Sequence, residues 1–496
     1  MKLKKLFKTI PVKQIKGSRE VEITGICSHS KAVSPGNLFI AKHGAAYDGN
    51  GFIAEAISAG AVAVLTNFLD PFLNVVQVIH DDVASIEADV AATYYQFPSD
   101  ELFTVGITGT NGKTTSAYII KHLLDSLNLR CGLISTIQYC VGNHYYEASR
   151  TTPDVILNQK LLRDMVTSNC LAAVMEVTSH GLIQGRVRHI DYDVAIFTNL
   201  SLDHLDYHKT MENYCEAKAK LFNDLHLGQD DGVRKKKIAT FPKCAVINID
   251  DPWHEKIMAN CQTKILTYGT SPKANLRATN IVLSRQGTQF DVTYEGQTVR
   301  FAWKLIGKFN VYNCLAATAV GLVRGISLEQ IASIIAPFKT APGRLEAVSN
   351  PRGCSVFVDY AHTPDALENV LQCLQEVHKG KIITVFGCGG DRDPSKRKEM
   401  AKVCQRLSDL SIVTSDNPRS EDPSDIIHEI LKGFADSSKY IVEIDRRRAI
   451  EKALSHATAN DMVLIAGKGH ETYQIFARKT VEFDDRQVAA DLLNAK

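Results

Sequence analysis

Short apolar runs separated by polar turns occupy the first hundred residues. Strand-like runs lie at 21–23, 37–40 and 61–65, and a helix-like stretch runs from Ile53 to Gly60. This alternation predicts a small α/β domain over residues 1–100. The segment FPSDE, at 97–101, interrupts the pattern and indicates a linker.

From residue 101 to residue 341 the pattern changes to longer repeats of strand, loop and helix. An apolar strand at 102–108 leads into a glycine-rich loop, and further apolar runs follow at 171–177 and 194–198. The helix after the loop has apolar residues at helical spacing: Ile120, Leu123, Leu124 and Leu127. The alternation favours a central domain with a mostly parallel sheet.

A polar insertion at 228–243 contains the basic run Arg-Lys-Lys-Lys. Such a run could bind an anion, but charge runs are more often solvated. The insertion is therefore predicted to be a surface loop.

Residues 342–496 alternate strands with amphipathic helices again. One such helix has apolar residues at Leu367, Val370, Leu371 and Leu374. The strand candidates lie at 355–359, 381–387, 410–414, 440–444 and 461–466. This pattern predicts a doubly wound, Rossmann-like domain, whose ligands would bind beyond the carboxyl ends of its strands.

Composition excludes several classes of protein. The net charge of +2 gives no bulk attraction to nucleic acid or to a membrane. The twelve cysteines form no CxxC pair, which argues against a zinc ribbon and fits a reducing cytoplasm. The basic start, MKLKKLFKTI, lacks the apolar core of a signal peptide, and no apolar run of about 18 residues could span a membrane.

The stretch GITGTNGKTTS, at 106–116, predicts a phosphate-binding loop. Gly109 and Gly112 allow backbone N–H groups to approach a phosphate, Lys113 can reach the outer phosphates, and Thr114 can bind Mg²⁺. Ile107 stands where the standard pattern has its first glycine, so the loop is a variant. A glycine-rich structural turn is the alternative, but the strand before and the helix after favour ATP binding.

Two polar side chains follow apolar runs of the same domain. Glu176 and His204 could therefore project into the crevice that holds the loop, with Glu176 favoured as a metal ligand. Lys218 lies in a helical stretch, and from spacing alone it is predicted to be a surface lysine.

The stretch DNPR, at 416–419, follows an apolar run and has the character of a stiff corner. It presents a carboxylate, an amide and a guanidinium at a strand end. Arg419 could instead form an ion pair with Glu421 or Asp422. Its strand-end position favours ligand binding.

Taken together, these motifs resemble those of the Mur ligases, the ATP-dependent amino-acid ligases of peptidoglycan precursor synthesis. The resemblance runs from about residue 20 to residue 486. The motifs that carry it are, in order, TGTNGKTT, MEVTSHGL, TNLSLDHLDYH, EAKAKLF, GKFNVYNCLAA, PGRLE, DYAHTPD, FGCGGDRD, DNPR and AGKGHE.

The resemblance implies three domains: one that binds a UDP-linked substrate, a central ATPase and a Rossmann-like domain that receives an amino acid. It implies that ATP phosphorylates a carboxylate and that an amine attacks the acyl phosphate. It also implies two Mg²⁺ sites with Thr114, Glu176, His204 and Lys218 as ligands, Lys218 being carbamylated. Lys113, Glu176, His204 and Lys218 are thereby the implied catalytic residues.

The resemblance further assigns binding residues. For ATP they are Gly109, Thr110, Asn111, Gly112, Lys113, Thr114, Thr115, Asn310, Asn313, Arg344 and Asp359. For the UDP-linked substrate they are Ser28, Ser30, Thr151, Thr152, Thr178, Gln184 and Arg186. For the amino acid they are Arg392, Asp416, Asn417, Pro418, Arg419, Gly467 and Glu471.

The first domain departs from the family pattern, since His29-Ser30-Lys31 stands where Asp-Ser-Arg is usual. Ser30 keeps the hydroxyl expected near uracil. Lysine does not replace arginine at a bidentate site, so the contacts to UDP are expected to differ in detail.

Within the family, an arginine at the last position of DNPR goes with members that add meso-diaminopimelate to UDP-N-acetylmuramoyl-L-alanyl-D-glutamate. A guanidinium can hold the second carboxylate of diaminopimelate, which lysine lacks. We therefore expect a cytoplasmic, monomeric ligase of this kind. The alternatives are a lysine-adding ligase, an ATP-binding protein without catalysis and a phosphate-loop kinase.

Overall fold

The computed structural model describes residues 1–44, 47–225, 242–349 and 353–494. The predicted surface loop at 228–243, apart from its last two residues, lies outside the described residues. The strands form three main sheets, each built from one consecutive stretch of the chain. We call these stretches the first, middle and third units; the predicted divisions after residues 100 and 341 stay a prediction.

The first unit is a five-stranded sheet with three α-helices. Its strands are β1 (Gln14–Lys16), β2 (Gly25–Cys27), β3 (Asn37–Ile40), β4 (Ala63–Thr66) and β5 (Val76–Ile79). Its helices are α1 (Leu3–Leu6), α2 (Ile53–Ser58) and α3 (Val83–Tyr94). The sheet order is β1-β5-β4-β3-β2, and every pair except β1–β5 is parallel.

The prediction of a strand at 21–23 is wrong. Glu22 forms only an isolated bridge with Lys2, and the sheet strand begins later, at Gly25. Ile23 is fully buried, and its N–H donates to the Met1 carbonyl at 2.8 Å. The apolar run therefore serves to hold the chain start, not to extend the sheet.

The predicted linker at 97–101 contains a 3-10 helix, Pro98–Glu101, with Ser99 buried.

The middle unit contains an eleven-stranded sheet. Its strands are β6 (Phe103–Thr108), β7 (Cys131–Ile134), β8 (Gln138–Val141), β9 (His144–Glu147), β10 (Ala172–Glu176), β11 (Val194–Phe197), β12 (Cys244–Asn248), β13 (Lys264–Gly269), β14 (Leu276–Ser284), β15 (Gly287–Tyr294) and β16 (Gln297–Trp303). Its helices are α4 (Lys113–Ser126), α5 (Val155–Thr167), α6 (Ser179–Ile183), α7 (Leu205–His208), α8 (Met211–Asn223), α9 (His254–Met258), α10 (Lys308–Val323) and α11 (Leu328–Ile335).

The centre of this sheet is parallel, as predicted. The order is β16-β15-β14-β13-β12-β11-β6-β10-β7-β8-β9, with antiparallel strands added at both edges. Parallel pairing sets Glu176 beside Ile107 and Phe197 beside Thr108. The carboxyl ends of β6, β10 and β11 therefore meet at one edge of the sheet.

The third unit is a six-stranded sheet with helices between its strands and a separate hairpin. Its strands are β17 (Glu346–Val348), β18 (Ser355–Asp359), β19 (Ile382–Phe386), β20 (Leu410–Val413), β21 (Tyr440–Val442), β22 (Met462–Ala466) and the hairpin β23 (Tyr473–Phe476) and β24 (Lys479–Glu482). Its helices are α12 (Pro364–Val377), α13 (Ser395–Leu407), α14 (Pro423–Leu431), α15 (Arg446–His456) and α16 (Asp485–Asn494).

All five strands predicted for this unit are present, each within two residues of the predicted bounds. The order β17-β18-β22-β19-β20-β21 places β22, the last strand of the sheet along the chain, between β18 and β19. All neighbours from β18 to β21 are parallel, which confirms the doubly wound sheet. The loops that follow β18, β19, β20 and β22 open at the same edge.

Buried apolar clusters cover both faces of the middle and third sheets, and the cluster of the first unit also includes Val155 and Ile156 of α5. Among the described residues, no helix has the length and apolar character to cross a bilayer.

Candidate functional site

The loop after β6 turns sharply before α4 begins at Lys113. Gly109 has φ +148°, and a Cβ there would lie 1.9 Å from Thr198 Oγ1, so only glycine fits. The first N–H groups of α4 have no acceptor in a preceding turn and point out of the helix start. The N–H groups of Thr110 and Asn111 instead donate to Asn199, at 2.9 Å each. Two N–H groups of the loop are thus already hydrogen-bonded. The N–H groups left for an anion are those at the start of α4.

Two lysines meet behind this loop. Lys113 Nζ donates to the carbonyls of Gly109 and Thr110, both at 2.8 Å, and Lys218 Nζ donates to the Gly109 carbonyl at 2.9 Å. Lys218 is 1% exposed, with its ammonium 4.5 Å from the centre of the Tyr214 ring. The prediction of a surface lysine from spacing alone is wrong, because this face of α8 packs onto the loop that follows β6.

Burial is the main cause of an altered pKa at both amines. It lowers the pKa of Lys218 well below its usual range, and the nearby Lys113 ammonium lowers it further. Burial likewise lowers the pKa of Lys113, although Glu176 opposes that shift. Lys218, held in this way, has access to its neutral, nucleophilic form.

Glu176 ends β10 and is completely buried. Its Oε2 accepts from Thr114 Oγ1 at 3.0 Å and from Thr136 Oγ1 at 3.1 Å, and its Oε1 accepts from the Thr136 N–H at 2.9 Å. Arg344, from the third unit, donates to Thr114 Oγ1 at 3.2 Å. The Glu176 carboxylate and the Arg344 guanidinium thus both hydrogen-bond to the Thr114 hydroxyl, in the first turn of α4.

His204 lies on the rim of the same region. It has φ +54°, its side chain is 46% exposed, and its Nε2 lies 3.4 Å from Asp203 Oδ2. Burial of the ring lowers its pKa, with Asp203 opposing the change. Its ring lies 5.0 Å from that of His180.

The predicted metal ligands fit Mg²⁺ in part. Thr114 and Glu176 provide the oxygen donors that Mg²⁺ prefers. Lys218 can contribute an oxygen only as a carbamate, because an ammonium has no lone pair. Within the described ranges, no three His, Cys, Asp or Glu side chains form a metal-binding group. An ion here would therefore need oxygens from phosphate and water as well.

A cavity of about 520 Å³ lies between the middle and third units, beside the start of α4. We call it the smaller cavity. Asn313 Oδ1 accepts from Ser116 Oγ at 3.2 Å, and its Nδ2 donates to Asn310 Oδ1 at 3.0 Å. Seven of the residues predicted for ATP line this cavity: Asn111, Gly112, Thr115, Asn310, Asn313, Arg344 and Asp359. Burial raises the pKa of Asp359.

A larger cavity, of about 960 Å³, also lies between the middle and third units. Six residues predicted for the amino acid line it: Arg392, Asp416, Asn417, Arg419, Gly467 and Glu471. Pro418 is buried and does not line it. Its other wall is the β8–β9 hairpin with Thr136 and Thr151 of the middle unit.

Arg419 sits at φ +53° in the turn after β20. Its Nη1 donates to the Gly390 carbonyl at 2.8 Å. The alternative ion pairs do not form, because Glu421 binds Arg397 at 2.8 Å and Asp422 accepts from the Ser424 N–H at the start of α14. Among the described residues, no carboxylate oxygen lies within ion-pair distance of Arg419, and its guanidinium borders the cavity.

The predicted residues for the UDP-linked substrate fall into two places. Thr152 is buried, and its Oγ1 donates to the Glu176 carbonyl at 2.8 Å and accepts from Thr178 Oγ1 at 3.0 Å. Arg186 donates to the Thr152 carbonyl at 2.9 Å and to Gln184 Oε1 at 2.6 Å. Ser28 and Ser30 belong to the first unit and line neither cavity.

Sequence reasoning missed several residues of the larger cavity. Tyr360, His362 and His470 form an aromatic cluster there, with ring centres 4.6 and 4.9 Å apart. Burial lowers the pKa of His470 to about 3, so its ring is neutral near pH 7. In the sequence, the only indication of a role for these three residues is that they belong to the motifs DYAHTPD and AGKGHE.

Comparison with known proteins gives three family matches along the chain. They are the Mur ligase family catalytic domain at residues 22–93, the Mur ligase middle domain at 107–321, and the Mur ligase glutamate ligase domain at 343–469.

The chain is 45% identical to the UDP-N-acetylmuramoyl-L-alanyl-D-glutamate--2,6-diaminopimelate ligase of Chlamydia pneumoniae, over 99% of both chains. A solved structure of a ligase with that name superposes with a TM-score of 0.69 at 31% identity, covering 100% of this chain and 99% of the other. Mycobacterium tuberculosis folylpolyglutamate synthase, complexed with ADP and AMPPCP, has a TM-score of 0.61 at 18% identity, covering 77% of this chain and 91% of that one, and shares the fold. This chain belongs to the Mur ligase family.

Proposed function

We propose that this protein is an ATP-dependent ligase that joins meso-diaminopimelate to UDP-N-acetylmuramoyl-L-alanyl-D-glutamate. The relatives with that activity in their names match it along its whole length. The observation that carries the choice of amino acid is Arg419, whose guanidinium borders the larger cavity with no carboxylate partner in the described chain.

The proposed reaction has two chemical steps. The γ-phosphoryl group of ATP passes to the side-chain carboxylate of D-glutamate, which gives an acyl phosphate and ADP. The neutral amine of diaminopimelate then attacks the acyl carbon, and the tetrahedral intermediate expels phosphate to leave the amide. The carboxylate needs this activation because oxide is a poor leaving group, whereas phosphate is a good one.

The residues around α4 are suited to the first step. Phosphoryl transfer depends on positioning and on positive charge near the phosphate oxygens. Lys113, the first residue of α4, and Arg344, which donates to Thr114 Oγ1, supply cations near the start of that helix. A bound Mg²⁺ supplies further positive charge, with Thr114 and Glu176 as its protein ligands. ATP would occupy the smaller cavity, with its base toward Asn310 and Asn313.

Lys218 is proposed to act as a carbamate. Its buried amine, with a lowered pKa, is the form that adds CO₂. The amine nitrogen bonds to the carbon of CO₂ and releases one proton to solvent, which leaves an anion that the nearby Lys113 ammonium attracts. His204 would complete the metal surroundings from the rim.

The larger cavity is suited to the second step. Arg419 and Arg392 can hold the carboxylates of diaminopimelate, and Glu471 can accept from an ammonium. Lysine would leave the Arg419 guanidinium without a partner and would bring an ammonium toward it. A site that pairs a polar group can reject an analogue lacking that group by about four to five powers of ten.

The position of the UDP-linked substrate follows from the same arrangement. Its peptide end would lie near Thr151, which lines the larger cavity, and near Thr178 and Arg186, which contact Thr152. Its uridine end would reach Ser28 and Ser30 in the first unit. The nucleotide-linked substrates fit a cytoplasmic enzyme, and we propose that it works as a monomer without nucleic acid or membrane partners.

The test uses purified protein with ATP, Mg²⁺ and UDP-N-acetylmuramoyl-L-alanyl-D-glutamate. Either diaminopimelate or lysine is added, phosphate release is followed, and the product is identified by mass spectrometry. We expect an amide product and phosphate release with diaminopimelate. Faster turnover with lysine would overturn the choice of amino acid. A phosphorylated small molecule as final product would indicate a kinase, and no turnover with either amino acid would indicate a binding protein.

A further inference from the structure

Lys468 is a buried cation in the turn after β22. Its side chain is 0% exposed, and the glycines on either side have φ values of +112° and +53°. An ammonium removed from water costs free energy unless charged or polar partners surround it. The groups around the Lys468 ammonium therefore show which loops its charge stabilises.

The Lys468 ammonium has two polar acceptors and one aromatic neighbour within the described chain. Nζ lies 2.8 Å from Glu471 Oε2 and 3.1 Å from Asn417 Oδ1, and it faces the Tyr473 ring, 5.6 Å from the ring centre. An ammonium has three donors and no acceptor. Because its side chain is 0% exposed and the residue does not line the larger cavity, Lys468 is not placed to contact a substrate there.

Its two polar partners come from different loops. Asn417 lies in the turn after β20, and its Nδ2 donates to Glu471 Oε2 at 2.8 Å. Its Oδ1 also accepts from the Ile475 N–H of β23 at 3.0 Å. One ammonium thus holds together the turn after β20, the turn after β22 and the β23–β24 hairpin.

The two oxygens of Glu471 are used unequally. Oε2 receives both the Lys468 and the Asn417 donors, whereas Oε1 accepts from no donor in the described part of the chain. The side chain of Glu471 is 16% exposed, and the residue lines the larger cavity. The network therefore fixes the carboxylate and leaves one oxygen for a cation in the cavity.

We propose that Lys468 is a positioning residue that sets the orientation of Glu471 and Asn417 for the ammonium group of the amino-acid substrate. The proposal rests on the proposed function, because it assumes that the amino acid occupies the larger cavity. It makes Lys468 a determinant of amino-acid affinity that acts only through its two partners.

The experiment compares Lys468→Met with the wild type by steady-state kinetics for each substrate. The KM for diaminopimelate should rise roughly tenfold to a hundredfold, the usual effect of losing a charge-assisted hydrogen bond. The KM values for ATP and for the UDP-linked dipeptide should stay within about twofold. Lys479→Met is the matched control, because Lys479 faces Phe476 of the same hairpin from an exposed position and should leave all three KM values unchanged.

A double-mutant cycle separates positioning from general damage. In the Glu471→Gln background, Lys468→Met should raise the KM for diaminopimelate by a clearly smaller factor than in the wild type, because the part of its effect that passes through that carboxylate is already lost. If Lys468→Met does not fold, as judged by circular dichroism, Lys468→Gln is measured in its place, since it keeps a donor for Asn417.

Two results would overturn the inference: an equal rise in all three KM values, or full additivity with Glu471→Gln. Both results count against the inference only when the wild-type protein itself uses diaminopimelate. Failure of the wild type to use diaminopimelate would instead overturn the proposed function.

Discussion

At the scale of single residues, the same side-chain type has different roles according to its partners. Arg397 is 3% exposed and pairs with Glu421 and Glu429, whereas Arg419 borders the larger cavity with only carbonyl partners. A guanidinium that is paired inside the protein stabilises the fold, and one that is not can bind a ligand carboxylate.

Arg419→Met should therefore raise the KM for diaminopimelate about a hundredfold, because two charge-assisted hydrogen bonds are lost. Binding of ATP and of the UDP-linked dipeptide, measured by calorimetry, should change by less than about twofold. Arg478→Met, at an exposed position on the neighbouring hairpin, is the control. Equal weakening of all three ligands would mean that Arg419 is structural.

Lys218 gives a second prediction at this scale. Lys218→Ala should lower kcat by about two powers of ten or more, since it removes a charge next to the transferred phosphoryl group. Added acetate or formate should restore part of the rate by filling the place of the carbamate. Lys220→Ala, on the exposed face of the same helix, should keep full activity. Full activity of Lys218→Ala would exclude the carbamate role.

Gly109 gives a third prediction at the scale of single residues. Gly109→Ala would place a methyl group 1.9 Å from Thr198 Oγ1 at φ +148°, so the loop must move. We expect the free energy of unfolding to fall by about 2 kcal/mol and ATP affinity to fall with it. Gly51→Ala meets no atom within 4 Å and should change stability by less than about 0.5 kcal/mol in chemical denaturation.

At the scale of elements, a buried ion pair connects two helices to the loops of the larger cavity. Arg446 at the start of α15 and Asp485 at the start of α16 are both 0% exposed, with Nη2 and Oδ2 2.7 Å apart. Arg446 Nη2 also donates to the Ala466 carbonyl at 3.0 Å, directly before the turn that contains Gly467. The pair thus fixes the end of β22 relative to both helices.

Removing one partner should leave the other charge buried and unpaired. Arg446→Met should lower the free energy of unfolding by about 3 to 5 kcal/mol, whereas Arg446→Met with Asp485→Leu should recover much of it. Lys160→Met, which breaks an exposed pair with Asp164, should cost at most about 1 kcal/mol. Denaturant titrations of the four proteins measure these values. A double variant as unstable as Arg446→Met would contradict the explanation.

At the scale of the whole molecule, both cavities lie between the middle and third units. Arg344 bridges the two, because it belongs to the third unit and donates to Thr114 at the start of α4. A nucleotide in the smaller cavity would contact both units and stabilise the arrangement seen here.

Saturating non-hydrolysable ATP should therefore slow amide hydrogen exchange in α12 and at the start of α4, and leave the first unit unchanged. At a hundred times Kd the gain in stability should be about 2.7 kcal/mol. Lys113→Met should show much less protection. Protection that is equal in all three units would contradict a site confined to this interface.

The sequence by itself determined the elements that rest on local pattern. Apolar runs of fixed period predicted the parallel strands of the middle and third units, and the motif around Gly109 predicted the glycine-containing turn before α4. Strand ends in such sheets meet at one edge, so Glu176 and Asn417 could be placed there in advance. The local pattern failed at 21–23, where contacts with the chain start replace sheet pairing.

Only the tertiary structure decided which charged groups are buried and which partners they have. Lys218 lies 109 residues from Gly109 along the chain, so its contact with the loop leaves no periodic signal near it. The same holds for Arg419, whose nearby acidic residues pair elsewhere, and for Lys468, whose role depends on a partner 51 residues away. The physical reason is that burial and ion pairing depend on long-range packing, whereas strand and helix periods are set by neighbours along the chain.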